Sequence, residues 1–218
     1  MFGLFWNGDI ESNYIGHQAA EIFRDGLYNN FIGNKENLVI FDIGANIGMF
    51  TLYARKKAKM IYAMEPSPEH IPCLQKMIEF NELKNVTLIP KAISNYNKMS
   101  NFYLQRNKTS DSLYQAVDIS MVVDMVQVEC IRMDKVFEDY KIDHVDFMKF
   151  DAEGIESEVF GGDAFAKVAN KIDTIVFEMH DWMDRNAHQV LDSLRIRGFE
   201  VNQLDYKDAN VWIAKRKK

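Results

Sequence analysis

Leu38-Val39-Ile40-Phe41-Asp42-Ile43-Gly44-Ala45-Asn46-Ile47-Gly48 is the stretch whose reading decides the fold. Its first six residues form a nearly continuous apolar run, as expected of a parallel strand covered on both faces. Gly44 and Gly48 let the chain turn tightly and bring backbone close to a ligand where a Cβ would collide. A helix follows the turn. Lys59 to Met64 then makes a second strand ending at Glu65, and Pro66 marks the start of another helix. Val86 to Pro90 is a third strand, with Lys91-Ala92-Ile93-Ser94-Asn95 at its carboxyl end. This βαβ alternation implies a parallel sheet.

Working outward, Tyr14, Ala19, Ile22, Phe23 and Leu27 have helical spacing, which predicts a preceding helix over about Asn13 to Asn30. Near residues 98–131 the rhythm changes to alternation, with Phe102 and Leu104 on one side of a polar run and Val126, Val128 and Cys130 on the other. A strand-loop-strand insertion is expected there. The parallel pattern resumes at His144 to Phe150, continues through a helix near Ile155 to Asn170, and returns as Lys171 to Phe177. A helix from roughly Arg185 to Arg197 stops at Gly198, and Phe199 to Leu204 then faces Ala209 to Lys215 as an antiparallel hairpin. Without a repeat, a linker or a low-complexity stretch, residues 1–218 are expected to form one domain. Residues 1–37 are its helical extension and residues 38–218 its core.

Charge narrows the ligand of the first turn. A dinucleotide site needs glycine where Asn46 stands, and its pyrophosphate would be repelled by Asp42. S-adenosylmethionine carries a sulfonium and an ammonium and no phosphate, so an acid beside the turn suits it. Glu65 lies roughly 20 residues past the glycines, where a carboxylate accepts hydrogen bonds from both ribose hydroxyls. Sites for nicotinamide dinucleotides share that acid, and a carboxylate there also suits the positive end of a helix. A nicotinamide-dependent oxidoreductase and a noncatalytic donor-binding protein therefore stay open beside a methyl-transfer enzyme.

In an open parallel sheet, ligands lie outside the carboxyl ends of the strands. Asp151-Ala152-Glu153-Gly154 follows the fourth core strand and Glu178-Met179-His180 the fifth. If those strands are neighbours, three carboxylates and an imidazole converge. Methyl transfer to a hydroxyl needs a base, and His180 has the better unperturbed pKa for that task. Asp151 or Glu153 would orient the acceptor, stabilise the sulfonium, or become the base if crowding raises its pKa. The bland alternatives are a helix cap at Asp151 and a hydrogen-bonded strand-end His180. Asp151, Glu153, Glu178 and His180 are also a conceivable ligand set for a divalent metal, an option that strand-end carboxylates do not favour by themselves.

The composition excludes several classes. No apolar run reaches the roughly 20 residues that a bilayer span needs, and the first six residues lack the basic flank of a signal peptide, so a cytoplasmic protein is expected. A net charge of −6 disfavours nucleic acid as a partner, and the basic residues 215–218 read as a solvated tail. Cys73 and Cys130 have no metal-type spacing. Enzymes that methylate exocyclic base nitrogens carry Asp/Asn-Pro-Pro-aromatic where this chain has Asp151-Ala152-Glu153-Gly154, which disfavours that substrate. Phe2, Phe5, Trp6 and Tyr14 could fold over an acceptor, pack a helix onto the sheet or bury a homo-oligomer contact.

Five motifs occur in order: Phe41 to Gly48, Glu65-Pro66-Ser67, Ser110-Asp111-Ser112-Leu113, Asp146 to Glu156, and Glu178-Met179-His180. The set resembles the FkbM-type methyltransferase family over residues 38–181, with the run from Lys149 to Glu156 the most diagnostic part. The resemblance implies an α/β fold like the class I methyltransferases. That fold is a Rossmann-like, doubly wound sheet of seven strands, mostly parallel, with a C-terminal antiparallel hairpin. It implies O-methylation of a hydroxyl on a sugar, glycan, glycolipid or small natural product, with S-adenosylmethionine as donor. An RNA or protein methyltransferase is the alternative within the enzymes. By position, Asp42, Gly44, Asn46 and Glu65 match the donor motifs, and Ala92 and Ser112 lie on segments expected near the adenine or the donor's tail. Members of the family often have a serine-rich run where this chain inserts Asp111.

Overall fold

The computed structural model describes residues 22–23, 26–106, 110–114, 119–180, 187–205 and 210–217. The helix expected over Asn13 to Asn30 lies largely outside them; a four-residue helix, α1 (Asn29–Ile32), follows that stretch. Next come β1 (Leu38–Ile43), α2 (Met49–Ala54), β2 (Ala58–Met64), α3 (Ile71–Phe80) and β3 (Val86–Ile89). β4 (Ala92–Ser94), β5 (Met99–Gln105) and β6 (Val122–Arg132) precede α4 (Met133–Asp139) and β7 (Val145–Phe150). α5 (Glu156–Gly161), α6 (Asp163–Val168), β8 (Ile172–Glu178), α7 (Ala187–Ile196), β9 (Phe199–Gln203) and β10 (Val211–Arg216) complete the described elements.

Among the described residues, seven strands form one sheet in the order β3-β2-β1-β7-β8-β10-β9. The first five are mutually parallel, and β10 runs antiparallel to both β8 and β9, which is the expected doubly wound sheet with a C-terminal hairpin. Alternate residues serve opposite faces. Phe41, Ile43, Met148, Phe150, Ile175 and Phe177 pack on one side, and Ile40, Ile61, Phe147, Val176 and Ile213 on the other. This two-sided burial explains the unbroken apolar run of β1, which sits between β2 and β7 near the middle of the sheet.

The insertion is a second sheet in the order β4-β6-β5, with β5 antiparallel and β4 parallel to the eleven-residue β6. Phe102, Leu104, Val128, Cys130 and Ala92 form its own small core. One expectation is corrected: the helix predicted over Ile155 to Asn170 is two, α5 and α6. Gly162 between them is extended, with φ −79° and ψ 159°, and a side chain there would collide with Asn95.

Candidate active site

The turn after β1 is built by glycine geometry. Gly44 has φ +71°, and a Cβ on it would lie 1.8 Å from the carbonyl oxygen of Asp151, so only glycine lets this turn pass the end of β7. Asn46 is also left-handed, with φ +51°, and Gly48, at φ +90°, starts α2 against Leu74 and Met77. Glu65, at the end of β2, accepts hydrogen bonds from Asn46 N through Oε2 at 2.7 Å and from Ser67 N through Oε1 at 2.8 Å. His70 Nδ1 lies 3.6 Å from Glu65 Oε1. Burial works to lower the His70 pKa, but Glu65 outweighs it and raises the value.

Asp42 is wholly buried behind the turn rather than in the wall of the cavity. Thr51 Oγ1 donates to its Oδ2 at 2.6 Å, and Lys149 Nζ stands 3.8 Å from its Oδ1. Lys149 also donates to Gly44 O at 3.0 Å and pairs with Asp151 Oδ2 at 3.2 Å. The charge of Asp42, read from sequence as a feature aimed at the ligand, is thus answered inside the fold by a lysine directly opposite on β7.

The strand-end clusters do converge, because β7 and β8 are neighbours. Their means of convergence differs from simple alternation: Glu153 (φ +52°) and Gly154 (φ +95°) make a left-handed turn after β7, and β8 ends at Glu178. His180 Nε2 lies 3.2 Å from Glu153 Oε2 and 4.0 Å from Asp151 Oδ1, while Nδ1 lies 2.9 Å from Glu156 Oε1. An ionised carboxylate only accepts, so each ring nitrogen carries a proton where its partner is ionised. Burial works to lower the His180 pKa, but the bonds to Glu153 and Glu156 overcome it and push the value up to about 12. The raised value favours the protonated ring, the opposite of what a base near neutral pH needs. Burial raises the Glu153 carboxyl despite His180, whereas Lys149 and His180 hold the Asp151 carboxyl low against the effect of its burial.

These groups face one cavity of about 420 Å³, whose lining includes Gly44, Asn46, Glu65, Ala92, Asp151, Glu153, Glu178 and His180. That volume falls within the usual range for small-molecule sites, roughly 300–1,000 Å³. Ser112 does not line it; its Oγ donates to Glu153 O at 2.6 Å and so braces the turn. His70, Asp111 and Glu156 join the site although sequence reasoning had assigned them no role. One ligand atom each from Asp151, Glu178 and His180 lies within 4.8 Å of the others, close enough for a divalent ion to bridge. Cys130 is buried, and burial pushes its thiol up to about 11, out of the reactive range.

A glycine turn, an acid at the end of β2 and polar residues at the ends of β7 and β8 thus share one cavity, and the FkbM methyltransferase domain matches residues 42–201. The chain belongs to the FkbM methyltransferase family. It is an S-adenosylmethionine-dependent methyltransferase. This FkbM-family chain is 26% identical over 214 residues to 31-O-demethyl-FK506 methyltransferase FkbM of Streptomyces tacrolimicus, covering 83% of this chain and 80% of that one. It superposes on the methyltransferase FkbM of Methylobacillus flagellatus with a TM-score of 0.59 and 15% identity, covering 91% of this chain and 47% of that one. A Streptococcus mutans chain solved in complex with S-adenosylhomocysteine superposes with a TM-score of 0.54 at 14% identity, covering 87% of this chain and 96% of that one. Among the described residues of this FkbM-family chain, no helix is long and apolar enough to cross a membrane.

Proposed function

We propose that the chain O-methylates a hydroxyl of a sugar, glycan, glycolipid or small natural product. The observation that carries this is the union, in one cavity, of Glu65 with Glu153 and the buried His180 that faces it. The residues fit the donor. Glu65 keeps acceptor capacity for ribose hydroxyls beyond its two backbone bonds. Asp151 Oδ1 is buried with no hydrogen-bond partner among the described residues, which suits the donor's ammonium. Gly44, Asn46 and Ala92 line the same cavity, while Asp42 and Ser112 stand behind its wall.

Bound there, S-adenosylmethionine supplies an electrophilic methyl group on its sulfonium. The chain's own part is to hold the acceptor oxygen in line and take its proton. Glu153 is the group for that: it faces the cavity, and burial makes it more basic than an ordinary carboxylate. His180 donates to Glu153 Oε2 and so fixes the carboxylate's orientation. The name of the Streptomyces tacrolimicus relative specifies an oxygen acceptor, which supports the same chemistry here.

Two experiments test this. Calorimetric titration with S-adenosylhomocysteine and NADH should register only the former, with at least about tenfold weaker binding to Glu65→Ala. Binding of NADH alone would sink the reading. Mass spectrometry of hydroxyl acceptors incubated with donor, with magnesium or with chelator, should find methyl ethers. Glu153→Gln should slow their formation by about 10²–10⁴-fold while leaving S-adenosylhomocysteine affinity near that of the unaltered chain. Methylation confined to nitrogen or carboxylate would overturn the choice of oxygen.

A further inference from the structure

Among the described residues, the side of the cavity formed by the second sheet carries one carboxylate, Asp111. Ser112, the neighbour expected near the donor, turns its hydroxyl away to Glu153 O, and Asp111 faces the cavity instead. Its placement is fixed from several directions. Gln105 N donates to Oδ1 at 2.7 Å, and Ser67 Oγ donates to Oδ2 at 3.1 Å. The Gln105 side-chain amide holds Ser110 O, and paired backbone bonds between Tyr103 and Ser112 stitch the segment onto β5. Asp111 is only 9% exposed, so this is a built carboxylate rather than a loop side chain in solvent.

Ser67 links it to the donor end. The hydroxyl of Ser67 reaches Asp111 and its backbone N–H reaches Glu65, so the two carboxylates of the wall are one residue apart in the hydrogen-bond network. Around them lie Pro66, Ala92, Ile93, Phe102 and Leu113, with His70 beside Glu65 and Lys91 next to Ala92. Such a wall suits a flat heterocycle, and adenine offers it a single strong donor, the exocyclic amino group. An ionised carboxylate has about four acceptor positions, and Gln105 and Ser67 use two of them.

We propose that Asp111 is a donor-binding residue that reads the adenine, its carboxylate accepting a hydrogen bond from the exocyclic amino group. The inference rests on the reading of this cavity as the S-adenosylmethionine site. It assigns a recognition role to the insertion between β3 and β7, outside the glycine turn and Glu65. Hypoxanthine, with a carbonyl where adenine has the amino group, would face Asp111 with two acceptors opposed.

The test is calorimetric titration of the full chain with S-adenosylhomocysteine and S-inosylhomocysteine. The unaltered chain should bind the adenosyl compound at least about tenfold more tightly. Asp111→Asn can present N–H to a carbonyl, so it should abolish or reverse that preference, and Asp111→Ala should reduce it to near unity. Ser67→Ala, which removes one support of the carboxylate, should narrow it if either substitution at 111 fails to fold. A discrimination ratio unchanged in these variants, with S-adenosylhomocysteine still bound, would overturn the role of Asp111. Failure of both compounds to bind the unaltered chain would instead overturn the donor site itself, and this inference with it.

Discussion

His180 has a carboxyl group facing each of its two ring nitrogens, an arrangement that favours the protonated ring. Its pKa is raised above the unfolded value of about 6.5. Protonation therefore contributes stability that is complete below that pH and fades as pH rises toward about 12. In a nitrogen-15 NMR titration, the His180 imidazole should stay doubly protonated past pH 9, and Glu156→Gln should bring its titration down toward neutrality. A neutral ring at pH 8 in the unaltered chain would sink the assignment. Lys149 gives a second residue-scale prediction, since it is the cation facing the fully buried Asp42. Lys149→Ala strands that carboxylate and should cost about 3–5 kcal/mol in denaturant unfolding; a loss below about 1 kcal/mol would show the pairing to be unimportant. Glu65, Asp151 and His180 could be placed together from the sequence because strand ends face the cavity that they line. Glu156 and Lys149 could not, since their roles depend on partners 24 and 107 residues away.

The β1 turn, α2 and β2 were legible as elements because local rules agree there: an apolar run, glycines at the turn and an acid before proline. Gly44 also carries a demand that local rules do not reveal, since what excludes a side chain is the backbone of Asp151, on a different strand. Gly44→Ala combines that collision with a left-handed backbone and should destabilise the chain by about 3 kcal/mol or more, measured by denaturant unfolding. An unchanged midpoint would mean that the turn relaxes freely. β4 and the break between α5 and α6 escaped sequence reading for the same reason. β4 is three residues long and exists by pairing with Cys130 to Arg132, and Gly162 is packed against Asn95. Antiparallel β5 and β6 were foreseen from alternation, yet their consequence for the cavity was not. Alternation places side chains on faces without saying that the loop beyond β5 will bring Asp111 back to Ser67.

At the scale of the whole molecule, charge separates the remaining acceptor classes. The chain carries a net −6, and its cavity is lined by Glu65, Asp111, Asp151, Glu153 and Glu178 against Lys91, His70 and His180. Lys91 is itself paired with Glu129 at 2.5 Å, which offsets the cation nearest the second sheet. A polyanion approaching these carboxylates meets repulsion. Bulk transfer RNA should therefore neither retain the protein on a filter at 50 mM salt nor compete with S-adenosylhomocysteine. Neutral polyols should reach the donor-loaded site with an affinity that changes less than about threefold between 50 and 200 mM salt, because an uncharged acceptor releases no ions. Tight RNA binding that weakens steeply with salt would reverse the choice and make an RNA methyltransferase the better account. Its absence, with salt-insensitive polyol binding, would tie the acceptor class to the carboxylate-lined cavity that the ends of β7 and β8 create.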